Sequence, residues 1–196
     1  KLQNLLIKCA AMLLLLFSGL SIKAQNPYPN TGDHQVCLNA TEPYGVPLTA
    51  GSTYAWSVTP LAGGNGTITA GATPNLVTIN WTNAGTATLR VIETNSFGCL
   101  GDPVTIIVTI NPLPTVTVNS STICPGASAT ITATPGVVGT YNYVWTVPLG
   151  ATNPGNVATF ASAIAGTYSV VITNTVTGCG SASASGTVTT TVLPTA

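Results

Sequence analysis

Charge is nearly missing from this chain. Eight of its 196 residues are charged, and there is one histidine. Lys1, Lys8 and Lys23 all fall within the first 24 residues. Beyond them a single cation, Arg90, faces four carboxylates, Asp33, Glu42, Glu93 and Asp102, for a net charge of −3. No basic face exists to neutralise phosphates, which argues against a nucleic-acid partner. The same lack argues against electrostatic attachment to an anionic membrane.

The scarcity of acids and bases also bears on catalysis. His34 and Asp33 are adjacent, but a Ser-His-Asp arrangement needs a positioned third member and an oxyanion hole. His34 falls at the edge of a polar, Pro-rich lead-in and reads as surface decoration. A glycosidase needs two facing carboxylates, and residues 115–192 hold none. Calcium needs several converging oxygens. No Asp-x-Asp spacing occurs, so Asp102 and Glu93 are merely the first residues to test. Zinc needs a cluster of Cys and His, and there is no Cys-x-x-Cys pair. The chain is therefore read as no enzyme, with no catalytic residue, metal or cofactor.

Helical periodicity is absent beyond the N-terminus, and long hydrophobic runs are absent there too. The N-terminal segment has basic ends around an apolar stretch from Cys9 to Leu20. A small residue, Ala24, precedes Gln25. This is the plan of a signal peptide over residues 1–24. A run of about 12 residues is too short for a bilayer of about 30 Å at 1.5 Å per residue. No stable membrane span is expected in the mature chain, although a retained N-terminal anchor helix is the alternative. With no initiator Met before Lys1, the chain is expected to be a fragment of a longer reading frame.

What the chain does have is β-branched residues, glycine, proline and a repeat. Abundant Val, Ile and Thr, punctuated by Gly and Pro, read as all-β. Val36-Cys37 to Gly98-Cys99 follows the same plan as Ile123-Cys124 to Gly178-Cys179. Each stretch carries Tyr-x-Trp (Tyr54-Ala-Trp56, Tyr143-Val-Trp145) and a later Gly-Thr (Gly85-Thr86, Gly166-Thr167). Leu113-Pro-Thr returns as Leu193-Pro-Thr, a period of 80 residues. Tandem repetition of a small unit means modules in series. The expected organisation is a flexible lead-in (25–32), a first module (33–111), a Pro linker (112–114), a second module (115–192) and the start of a further linker (193–196).

Alternation with period two assigns strand faces. Tyr54, Trp56 and Val58 share a face, as do Val77, Ile79 and Trp81, and Ala87, Leu89 and Val91. In the second module Tyr143, Trp145 and Val147 share a face, as do Tyr168, Val170 and Ile172. Gly186–Val192 reads as the last strand. Seven or so short strands per module, with one Trp on an inner strand and a Cys pair, form a β-sandwich pattern. Tyr54, Trp56, Tyr143, Trp145 and Tyr168 are expected core aromatics. Trp81 has two readings: it fills the first module's core, or it is exposed and stacks on a sugar ring. The sequons at Asn39, Asn65, Asn80 and Asn119 read as chance triplets of a Thr-rich chain.

Removing the leader leaves Cys37, Cys99, Cys124 and Cys179, an even number that suggests disulfides in an exported chain. Repeat symmetry favours Cys37–Cys99 and Cys124–Cys179, each closing its own module. A cross-module Cys99–Cys124 pair stays open. Each intramodule loop would contribute roughly 4 kcal/mol on the chain-entropy model.

Ile123-Cys-Pro-Gly126, Tyr143-Val-Trp145, Gly166-Thr-Tyr-Ser-Val170 and Gly178-Cys179, taken in order, resemble the immunoglobulin-like repeats of large surface proteins in gliding, type IX-secreting bacteria. Tyr54-Ala-Trp-Ser-Val58, Val77-Thr-Ile-Asn-Trp81 and Gly98-Cys99 are similar to the PKD-like variety. The resemblance implies an immunoglobulin-like/PKD-like β-sandwich tandem acting as non-catalytic structural or adhesive stalk modules, secreted or on the cell surface. Surface glycans or other cell-surface proteins are the implied partners. Ala87 stands where the second module has Tyr168, so the first lacks the tyrosine that pins a sandwich corner. The alternative is a carbohydrate-binding accessory region of a secreted hydrolase.

Overall fold

The structure, a computed structural model, describes residues 34–193. The signal peptide and the lead-in expected before Asp33 lie outside the described residues. The fold is all-β, with fourteen strands and no helix among the described residues. The chain divides into two compact units between Asn111 and Pro112.

The first unit contains β1 (His34–Cys37), β2 (Thr41–Gly45), β3 (Thr53–Ala62), β4 (Asn65–Ala70), β5 (Leu76–Asn83), β6 (Gly85–Thr94) and β7 (Val104–Asn111). One sheet has the order β1-β7-β6-β3 and the other β2-β5-β4. All pairs are antiparallel except β1 with β7, which run parallel. Alternation builds the core. Ala87, Leu89 and Val91 of β6 point inward while Thr88 and Arg90 point outward. Val77, Ile79 and Trp81 of β5 face them from the other sheet. Fully burying such an aliphatic side chain contributes about 1.5–3 kcal/mol.

The second unit contains β8 (Val116–Val118), β9 (Ser121–Ile123), β10 (Ala129–Pro135), β11 (Tyr141–Thr146), β12 (Thr159–Ser162), β13 (Gly166–Asn174) and β14 (Ala184–Thr190). Its sheets are β11-β13-β14-β9 and β12-β10-β8. Again the pair of an early strand with the last one, β9 with β14, is parallel. Tyr168, Val170 and Ile172 point inward from β13 and meet Ala129, Ile131 and Ala133 of β10. Each unit thus has its own core cluster and its own four-plus-three sandwich.

The repeated Gly-Thr has a backbone cause. Gly85 and Gly166 open β6 and β13 at φ +130° and +144°, which L side chains rarely adopt. A Cβ on Gly85 would run into the Ala62 carbonyl oxygen, and one on Gly166 would sit 2.6 Å from Pro148 Cβ.

Three strands carry weak sequence patterns: β2, β4 and β12. β2 includes Pro43, which a sheet tolerates at an edge, where its missing N–H costs no ladder bond. β2 is an edge strand here. The last strand runs two residues earlier than the alternation indicates, which keeps the parity and leaves Val188 buried.

The expected cysteine pairing is corrected by the strand registers. Cys37 lies beside Asn111, at the C-terminal end of β7. Cys99 lies beside Asn95, beyond the β7 start at Val104. At about 3.4 Å per residue these ends are roughly 20 Å apart or more, against the ~4.4–6.8 Å between Cα atoms that a bridge needs. The second module repeats the geometry. Cys124 follows Ile123, which pairs with Thr190 at one end of β14. Cys179 bonds to Asn174, off the other end of β14. Neither intramodule pair can therefore close. Cys124 is free and exposed, which also removes the Cys99–Cys124 alternative. Cys37, Cys99 and Cys179 are each disulfide-bonded.

Candidate functional site

A buried polar cluster with titratable members lies in the first module. The parallel register of β1 turns His34 and Val36 inward, and both are buried. This corrects the reading of His34 as surface decoration: pairing with β7 extends the sandwich to include it. The His34 ring meets the Tyr44 ring edge-to-face, with centroids 5.6 Å apart. Tyr44 in turn meets Trp81 edge-to-face at 6.0 Å. Trp81 Nε1–H donates to Tyr44 Oη at 3.2 Å.

Burial governs the acid–base behaviour of this cluster. Desolvation lowers the His34 pKa below its ordinary value, and the nearby Glu42 charge partly opposes it. Desolvation raises the Tyr44 phenol well above its ordinary value; the Trp81 hydrogen bond works against this and Glu42 with it. Both ring nitrogens of His34 are buried without a hydrogen-bond partner. Burial thus favours the neutral imidazole and the protonated phenol, and both rings pack into the core. The cluster is packing, with a latent sensitivity to acid.

Trp81 is fully buried at 0 % exposure. The sugar-stacking reading therefore fails, because both faces of the indole are covered by the core. Trp56 is partly buried and packs against the same core, with a buried Nε1 that has no partner. Tyr54 lies outside that core cluster. Its hydroxyl accepts from Thr49 N–H at 2.7 Å and donates to the Pro47 carbonyl at 3.2 Å, pinning the β2–β3 loop. In the second module Trp145 is buried, stacks edge-to-face on Phe160 and donates from Nε1 to the Val157 carbonyl at 2.8 Å. Tyr143 packs against that core from its margin. Tyr168 is fully buried.

Glu42, Glu93 and Asp102 do not converge. Among the described residues no group of three His, Cys, Asp or Glu side chains could hold a metal ion. Asp33 lies outside the described residues.

A feature the sequence did not flag is a set of exposed apolar side chains in two neighbouring loops of the first module. The β2–β3 loop passes beside the β6–β7 loop: a Cβ on Gly51 would sit 3.3 Å from Ser96 Cβ. These loops carry Leu48, Phe97 and Leu100, all exposed. Isolated apolar residues in loops have no periodicity to mark them.

Fold and cores together define a tandem of immunoglobulin-like β-sandwich modules. No family model matches the chain, and no curated protein does. Among solved structures, similarity extends to the I-band fragment I67–I69 from titin, at 14% identity and a TM-score of 0.39, covering 87% of this chain and 64% of that one. The chain thus spans less than two thirds of that fragment's length. It is also similar to fibronectin(III)-like modules of CbhA from Clostridium thermocellum, at 13% identity and a TM-score of 0.31, covering 89% of this chain and 97% of that one. A third is the four-domain immunoglobulin segment of Sidekick-1, at 14% identity and a TM-score of 0.31, covering 85% of this chain and 52% of that one. No helix among the described residues is long and apolar enough to cross a membrane.

Proposed function

We propose that the chain is a pair of non-catalytic stalk modules of an exported or cell-surface protein, structural first and adhesive through its loops. The motif order supports placing them with the PKD-like and immunoglobulin-like repeats of surface proteins from gliding, type IX-secreting bacteria. The observation that carries the reading is the parallel pairing of terminal strands, β1 with β7 and β9 with β14. In each module the early strand runs toward the pole at which the last strand leaves. Tension along the chain then loads the β1–β7 and β9–β14 hydrogen bonds in shear, all at once, rather than unzipping them singly. A disulfide-containing chain also suits an oxidising compartment. The exposed Leu48, Phe97 and Leu100 of its loops are candidates for contact with a protein partner.

Single-molecule force spectroscopy on the two-module chain tests this. Two discrete high-force events are expected, one per module. Leu38→Pro, which removes the N–H that bonds the Asn111 carbonyl at 2.8 Å just past β1, should lower one of them. Extension at low force with no discrete events, in the unsubstituted chain, would refute a load-bearing role.

A further inference from the structure

The second module has a sheet edge without charge, proline or bulge. β11 is the outer strand of its sheet. Its sequence, Tyr-Asn-Tyr-Val-Trp-Thr, contains no charge and no proline, and Val144 points outward, exposed. Natural edges avoid pairing with other chains through charged side chains, proline or bulges. The corresponding edge of the first module, β3, has Pro60 and a register irregularity between Pro60 and Ala62. From Pro112 to Leu193 the sequence offers no Lys, Arg, Asp, Glu or His at all.

The segment 147–158, which carries the chain from β11 across to β12, covers this edge with carboxamides. Tyr143 N–H donates to Asn156 Oδ1 at 2.7 Å. Asn153 Nδ2 donates to the Trp145 carbonyl at 2.9 Å. These two main-chain groups face away from β13 and are what a new strand would pair with. The plug is itself held in place. Asn156 Nδ2 donates to Asn142 Oδ1 at 3.0 Å, and Asn153 Oδ1 accepts from Gly155 N–H at 2.9 Å. Trp145 Nε1–H to the Val157 carbonyl anchors the far side.

We infer that Asn153 and Asn156 seal β11 against pairing with β11 of a second copy of this chain. The second copy is the occupant that the strand itself specifies. β11 alternates buried and exposed residues, so antiparallel pairing with itself sets exposed Val144 near its symmetry mate. With no charge in the module, nothing electrostatic opposes the approach. The carboxamides occupy hydrogen-bonding positions that a neighbouring strand would need, which replaces charge by competition.

The test is sedimentation velocity over a concentration series, on the full chain. Asn153→Ala/Asn156→Ala should self-associate at a concentration about tenfold or more below that of the unsubstituted chain, as loss of two hydrogen-bond competitors implies. Adding Val144→Lys to the double variant should restore the monomer. A double variant as monomeric as its parent would overturn the inference. So would a parent chain that already dimerises and is dispersed by Val144→Lys. Should the double variant fail to fold, amide exchange decides. The Tyr143 amide of the unsubstituted chain should be protected like its ladder neighbours, and Asn156→Ala alone should release it; free exchange at Tyr143 in the unsubstituted chain overturns the inference.

Discussion

Tyr168 sits wholly inside the second sandwich, yet its hydroxyl lies 2.7 Å from both the Ile164 carbonyl oxygen, to which it donates, and Ser162 Oγ. Tyr168→Phe removes this hydroxyl, while Ser162 keeps the Ile164 N–H as a partner and Ile164 stays open to water. It should destabilise the second module by about 0.5–1.5 kcal/mol in denaturant unfolding, with little effect on the first. The first module fills the same space differently. Counting from the repeated Gly-Thr, Trp81 stands where the second module has Ser162, and Ala87 stands where it has Tyr168. A large–small pair is exchanged for a small–large one, and both members of each pair are buried or half-buried at the core. Each difference was visible in the sequence on its own. Their compensation was not, because it needs β5 and β6, and β12 and β13, placed face to face. His34 gives a second prediction at this scale. Its pKa is depressed by burial in the folded state, so the neutral form is the folded one. The stability it allows is present above the unfolded value of about 6.5 and lost as pH falls below it. Protection factors of the first module's core amides, which allow for the slower intrinsic exchange in acid, should fall between pH 7.5 and 5, and His34→Phe should flatten that trend. The second module, with no side chain titrating there, should be unmoved.

Strands with strict alternation were legible element by element. β6, β10, β11 and β13 have the faces that period two assigns. β2, β4 and β12 were not, since Gly, Pro and short length blur the pattern and only the partner strands define them. The cysteines failed for a related reason. Repeat symmetry correctly paired Cys37 with Cys124 as equivalent positions, and Cys99 with Cys179. It could not reveal that one class sits at the exit pole of its sandwich and the other at the opposite pole. That placement depends on the parallel register of β1 with β7 and β9 with β14, which no local pattern encodes. The consequence is checked by maleimide labelling of the unreduced protein followed by peptide mapping. Of Cys37, Cys99, Cys124 and Cys179, Cys124 should label readily and the other three only after reduction. Label at Cys179 before reduction would contradict the assignment.

Across the whole molecule, the near-absence of charge leaves packing and main-chain pairing to hold each module. Asparagine carboxamides take over local tasks, at the β11 edge, in the turns closed by Asn95 and Asn174, and in the buried Asn75 bond to the Val46 carbonyl. The first core is centred on Trp81 and the second on Tyr168 and Trp145, with no residue common to both. The account therefore stands on two independent folding units. Scanning calorimetry of the full chain with Trp81→Ala examines this most directly. Removing so large a buried side chain costs about 3–5 kcal/mol, which should lower the first module's transition by more than about 10 °C. The second module's transition should stay where it is. A single merged transition, or two that fall together, would contradict the separation of the cores.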